Sequence, residues 1–170
     1  QSRQANVKYI FETHFHADFI SGHLDLKKIF NSEIVFGSAA DTTYDIIKAE
    51  NNSIFNIGSI KIKVLHTPGH TPESVCYLLY DSNNNEHCVF TGDTLFIGEV
   101  GRPDLAISSS VTQSDLASQL YDSLHNILMK LNNNVIVYPA HGPGSACGKS
   151  FSKETFSTIG EQKKKNYALQ

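Results

Sequence analysis

Four short stretches concentrate the residues able to do chemistry: Thr13-His14-Phe15-His16-Ala17-Asp18, His66-Thr67-Pro68-Gly69-His70-Thr71, Thr91-Gly92-Asp93-Thr94 and Pro139-Ala140-His141-Gly142. The first packs two imidazoles and a carboxylate into five residues, and a tight loop can turn alternate side chains to one side. Neutral imidazole and carboxylate are the usual ligands of zinc and non-haem iron, and a metal's charge keeps both deprotonated at neutral pH. A lone stretch of this kind is more often a solvated loop. Three further His or Asp stretches make metal coordination the chemistry to which this sequence points.

Such side chains must be delivered by something rigid. Val7 to Phe11 is short, β-branched and aromatic, reads as a buried strand, and runs into Glu12-Thr13-His14. Ile60, Ile62 and Val64 alternate with Lys61 and Lys63 up to His66, the period of a half-buried strand. Ser74 to Tyr80 and His87 to Phe90 flank an Asn-rich turn as a hairpin whose second strand ends in Thr91-Gly92-Asp93. Val135 to Tyr138 is a last buried strand, ending at Pro139-Ala140-His141. Each polar stretch therefore follows a strand, and loops at one rim of a layered α/β fold can converge.

Between the strands, Ile20 to Phe30 reads as an amphipathic helix packed on a sheet, followed by a strand over Glu33 to Phe36. Thr112 to Leu131 places Leu116, Leu120, Leu124, Ile127 and Leu131 on one stripe behind a capping box of Thr112 and Asp115. Thr155 to Lys165 reads as a final helix.

The 170 residues, 40% of them apolar, suffice for one domain with a substantial core. No apolar run is long enough for a membrane-spanning helix, and no signal segment opens the chain. A net charge of −3 argues against nucleic acid as a partner, and Lys163-Lys164-Lys165 reads as a solvated helix face. The three cysteines, Cys76, Cys88 and Cys147, are an odd number without CxxC spacing, which argues against a disulfide framework and a structural zinc site and suits a reducing, cytoplasmic compartment. Cys76 and Cys88 fall on strands as core residues.

In order and in kind, the four stretches resemble the motifs of the metallo-β-lactamase superfamily, over roughly Val7 to Lys149. Within it, Gly92-Asp93-Thr94-Leu95-Phe96, Gly101-Arg102-Pro103-Asp104-Leu105 and the run from His141 to Lys149 look like persulfide dioxygenases, particularly bacterial forms fused to rhodanese domains. The resemblance implies an α/β (α+β) fold, a four-layer αββα sandwich with the metal at the rim between two sheets. It also implies more strands before the first motif than the thirteen residues ahead of His14 supply. The expectation is thus a single domain over residues 1–170 lacking part of its N-terminal half, a fragment of a longer chain that rhodanese domains could follow.

Carried over by motif, His14, His70 and Asp93 are the implied ligands of one Fe(II), a facial triad that leaves positions free for dioxygen and a substrate sulfur. Zinc could replace the iron. Dinuclear hydrolases of the superfamily have a second-metal histidine where this chain has Phe19, so Asp18 and His141 alone remain of a second site. His16, Asp18 and His141 are expected to orient ligands and water. Arg102 would either meet an anionic substrate or pair with a carboxylate such as Asp104 or Asp93. Cys147 would be either a sulfur relay or a buried turn cysteine. His66 is expected to make a structural hydrogen bond, and His23, His87 and His125 to be ordinary surface or helix residues.

The implied activity is oxidation of the terminal sulfur of a low-molecular-weight thiol persulfide by O2, giving sulfite and free thiol. Alternatives are a glyoxalase II-like thioester hydrolase and a non-catalytic sulfur-carrier module. The implied partners are the small persulfide, O2, a rhodanese domain in cis or trans, and a second copy in a homo-oligomer; nucleic acid and membrane are not among them.

Overall fold

The computed structural model describes residues 5–17, 19–141 and 154–170. Asp18 and Cys147 lie outside the described residues. Among the described residues, nine strands fall into two sheets. The first is parallel, with β1 (Tyr9–Phe11), β2 (Glu33–Gly37) and β3 (Ile47–Ala49) in chain order. The second runs β4 (Ile54–Ile57), β5 (Ile60–His66), β6 (Val75–Tyr80), β7 (Glu86–Gly92), β8 (Ile136–Pro139) and β9 (Ser157–Thr158), antiparallel except where β8 lies parallel to β7. A parallel neighbour requires a crossover. It is supplied by α2 (Gln113–Asp122) with its continuation, as α1 (His23–Phe30) links β1 to β2; α3 (Ile159–Lys165) follows β9.

Side-chain alternation on β5 and β6 makes the layers. Ile62, Val64, Val75 and Tyr77 face the first sheet and pack with Val35 and Ala49, whereas Leu65, Cys76 and Leu78 face the helices and pack with Leu120, Leu124, Leu128 and Ile159. Both faces of β6 are thereby covered. Ile34 and Phe36 lie on the opposite face of the first sheet with Ala40. Helix, sheet, sheet and helix follow one another, the sandwich expected. Cys76 and Cys88 are core residues, 0% and 4% exposed, and burial pushes the Cys76 thiol up to about 11.

Three helices depart from expectation. The capping box is present, with Thr112 Oγ1 accepting from the Asp115 N–H at 3.2 Å and Asp115 accepting from the Thr112 N–H at 2.9 Å. Yet α2 does not run on to Leu131: it widens into a π-helical turn over Ser123–Ile127 and tightens into a 3-10 turn over Leu128–Lys130. A π turn inserts extra residues per revolution and so rotates the stripe, burying Leu128 completely and leaving Ile127 only partly covered. In α1 the single buried residue is His23, while Leu24, Leu26, Ile29 and Phe30 are exposed; the helix is anchored by a polar residue rather than by its apolar stripe. Sequence periodicity registers a stripe but not whether anything covers it. The last helix begins at Ile159, because Ser157 and Thr158 pair with β8 first. No helix among the described residues is long and apolar enough to cross a membrane.

Candidate metal centre

The ends of β1, β5, β7 and β8 place their four polar stretches at one rim. His14, three residues past β1, has Nε2 3.7 Å from Asp93 Oδ2; His70, in the loop after β5, has Nε2 3.5 Å from the same oxygen. Ligand atoms from His14, His70 and Asp93 all lie within 4.8 Å of one another, and each residue is 2% exposed. Both imidazoles have the other nitrogen engaged: His14 Nδ1 is 2.9 Å from Thr13 Oγ1, and His70 Nδ1 is 3.0 Å from the carbonyl oxygen of Arg102. A carbonyl can only accept, so His70 donates from Nδ1, and its Nε2 is the atom turned toward the cluster.

Backbone shape sets these positions. Gly92, immediately before Asp93, has φ +52°, and a Cβ there would stand 2.6 Å from Thr13 Oγ1. Gly69, immediately before His70, has φ +136°, and a Cβ there would run into the Leu120 backbone of α2. Only glycine accepts both constraints, and each allows one ligand loop to lie flush against its neighbour. Ser123 adds a 2.7 Å donation to the Pro68 carbonyl, tying the His70 loop to the end of α2.

The electrostatics are those of a site built for a cation. Burial, followed by the fields of His16, His70 and His141, lowers the His14 pKa to about 2, so this imidazole is neutral and ready to donate. Asp93 Oδ1 is buried without a hydrogen-bond partner. A buried, unsatisfied carboxylate oxygen is costly, and a metal ion bound by both histidines would satisfy it. The donor set fits a divalent transition metal.

The other expected residues are distributed around this trio. His141 Nε2 lies 3.2 Å from Asp93 Oδ2, with 21% of its side chain exposed. The His16 ring is 4.2 Å from that of His14, and its Nε2 lies 3.8 Å from Glu12 Oε2, outside the ligand trio. Arg102 offers its carbonyl to His70 while its guanidinium pairs with Asp104 through Nε and Nη2, each at 2.6 Å. The His66 backbone N–H donates to Asn51 Oδ1.

Two acidic residues were not singled out by sequence. Glu12 accepts from Ser21 and lies 2.9 Å from His23 Nδ1, whose Nε2 is 2.8 Å from the Tyr44 hydroxyl. His23 is therefore a buried link in a network reaching His16, a correction to its reading as an ordinary helix residue. Glu73 accepts the Phe15 N–H at 3.0 Å and so holds the His14 loop from 58 residues away. Only the clustering of Glu12 with Thr13 and His14 hinted at the first, and nothing local marks the second.

Residues 33–141 match the family model of the metallo-beta-lactamase superfamily. The chain belongs to the metallo-β-lactamase superfamily. Among curated relatives, hydroxyacylglutathione hydrolase of Dictyostelium discoideum is 38% identical over 144 residues, 82% of this chain and 50% of that protein. Two proteins of Schizosaccharomyces pombe named probable hydroxyacylglutathione hydrolases and two hydroxyacylglutathione hydrolases of Saccharomyces cerevisiae also match. Persulfide dioxygenase ETHE1, mitochondrial, of Mus musculus is 31% identical over 162 residues, 95% of this chain and 56% of that protein. The chain spans about half the length of the curated relatives it matches. Among solved superfamily structures, a metallo-beta-lactamase from Staphylococcus aureus superposes with TM-score 0.85 at 35% identity, over 97% of this chain and 49% of that one. ETHE1 from Myxococcus xanthus superposes with TM-score 0.79 at 29% identity, over 99% of this chain and 65% of that one.

Proposed function

We propose that this chain carries the catalytic metal site of an enzyme acting on the sulfur-linked group of a small thiol, and that the reaction is hydrolysis of a thioester. The observation that carries the metal chemistry is the buried trio of His14, His70 and Asp93, with one carboxylate oxygen left for a cation. Several hydroxyacylglutathione hydrolases among the relatives support thioester cleavage over the persulfide oxidation expected from the motifs. Two histidines and one carboxylate, with further positions open, are also a donor set of catalytic zinc sites.

Bound by these three residues, a divalent ion would supply Lewis acidity toward a carbonyl and acidify water, or, as iron, a redox centre. The protein's own part is to hold this arrangement. Arg102 and Thr13 keep the two imidazoles oriented, Asp93 supplies the negative charge, and burial excludes competing water. His141 touches Asp93 on one side and solvent on the other, so it is placed to carry a proton between cleft and bulk.

A second reading, persulfide dioxygenase, is favoured by Phe19. Its ring lies 4.2 Å from His16, and the family resemblance places there an imidazole of a second metal site. Held by His14, His70 and Asp93, one Fe(II) would supply redox chemistry toward O2 and a persulfide sulfur, for an overall conversion of persulfide, O2 and water to sulfite and free thiol. A rhodanese domain, in cis or in trans, would then be a natural supplier of sulfane sulfur. The experiment is to load the protein with Zn(II) or Fe(II) and offer a glutathione thioester and glutathione persulfide separately. Thioester cleavage without O2 uptake supports the hydrolase, O2 uptake with sulfite supports the dioxygenase, and activity on neither overturns both in favour of a sulfur-carrier module.

A further inference from the structure

The loop that starts at Asp93 and ends at Arg102 carries one ligand at its beginning and orients another from its end. It is a tight hairpin: the Thr94 N–H donates to Thr91, Phe96 N–H to Glu99, and Gly101 N–H to Thr94, while Leu95 and Val100 form a β-bridge. None of these bonds ties the tip, residues 96–99, to the rest of the protein. Phe96 packs its ring against His141, and side chains from the C-terminal segment hold the tip by hydrogen bonds.

Gln162, on α3, is 2% exposed, and its Oε1 accepts the Gly98 N–H at 2.8 Å; its amide nitrogen donates to Ser157 Oγ at 2.9 Å. Asn166, just past the same helix and fully buried, donates from Nδ2 to the Glu99 carbonyl at 2.9 Å and to Gln162 Oε1 at 3.1 Å. The Tyr167 hydroxyl donates to Glu99 Oε1 at 2.5 Å. Buried amides cost free energy unless their polar atoms are satisfied; here Gly98 N–H and the Glu99 carbonyl on the loop supply one partner to each amide, and Ser157, Ala168 and the Gln162–Asn166 contact supply the rest. We propose that Gln162 and Asn166 are positioning residues that clamp the 96–99 tip and thereby set the metal affinity of the His14–His70–Asp93 trio. The clamp reaches the site at both ends of the loop, through Asp93 itself and through the Arg102 carbonyl that holds His70. This rests on the metal reading above, though not on which reaction the metal serves.

The test is metal affinity, measured by competition with a chromophoric chelator, together with hydrogen exchange at residues 94–101. Gln162→Met keeps the side-chain length and removes the acceptor for Gly98 N–H. It should weaken Zn(II) binding about 10–100-fold, the range found when groups that orient metal ligands are removed, and speed exchange in the loop. Tyr167→Phe, at an exposed residue, removes only the hydroxyl and should give a smaller loss in the same direction. Ile159→Val, a buried α3 residue that touches the apolar core, is the control: it should lower the melting temperature without changing affinity. Affinity unchanged in Gln162→Met, or reduced as much by Ile159→Val at equal loss of stability, overturns the clamp. Should Gln162→Met fail to fold, Tyr167→Phe decides by the same criterion. A wild-type protein that binds no metal overturns the metal reading itself, which an intact affinity in the variants does not.

Discussion

His70 Nδ1 stands 3.0 Å from the carbonyl oxygen of Arg102, a residue 32 positions away in sequence, and this contact aims His70 Nε2 at Asp93. The ligand is thus oriented by backbone, and the Arg102 side chain is free of that duty. Replacing Arg102 by Ala should leave metal affinity within about threefold of wild type, since the carbonyl survives, whereas His70→Ala should abolish tight binding. Chelator competition on both variants checks this.

Asp93 is the buried charge on which the cluster turns. In Asp93→Asn the metal-binding charge is lost, and affinity should fall at least about 100-fold. The metal-free protein should lose little stability, because a buried carboxylate carries a desolvation cost that an amide does not, while the Asn side chain keeps an oxygen for His141 Nε2. Metal should therefore raise the melting temperature of the wild type and leave that of the variant nearly unchanged, and a large loss of stability in the metal-free variant would count against this account.

The pH dependence of the metal-free protein follows from His14. Its folded pKa is lowered to about 2 by burial and neighbouring imidazoles, below the ordinary 6.5, so between those values the unfolded chain binds more protons. Stability is therefore fully present above about pH 6.5 and declines as pH falls from there toward the folded value. Denaturant titrations from pH 7.5 to 5 should show this decline, and His14→Gln should flatten it.

Gly69 packs its Cα against the backbone of α2 with φ +136°. Gly69→Ala should destabilise the fold by about 2–3 kcal/mol through overpacking and displace His70 with it. Urea denaturation measures the first effect and metal affinity the second.

Phe19→His is the variant that tests the number of metals. If an imidazole at this position is what the second site lacks, the bound metal should rise from about one toward two ions per chain. Elemental analysis after dialysis gives the stoichiometry, and an unchanged value would show that more than this residue separates the chain from dinuclear relatives.

Local chemistry was legible in the sequence. Imidazole and carboxylate stretches at strand ends announce metal ligands because residue type decides what can coordinate, and Thr112 with Asp115 announces a helix start because a capping box spans only one turn. The alternation on β5 likewise reports its two faces, since side-chain direction along a strand is a local property. Tertiary structure alone decided the rest. It brought Glu73 to Phe15, Arg102 to His70, and Gln162 to Gly98, contacts across 58, 32 and 64 positions that no local pattern encodes. It left the α1 stripe exposed and bent the α2 stripe through a π turn, because whether an apolar face is covered depends on what the rest of the chain places against it. Sequence named the atoms able to hold a metal; packing chose which of them share one point in space, and which side chains keep them there.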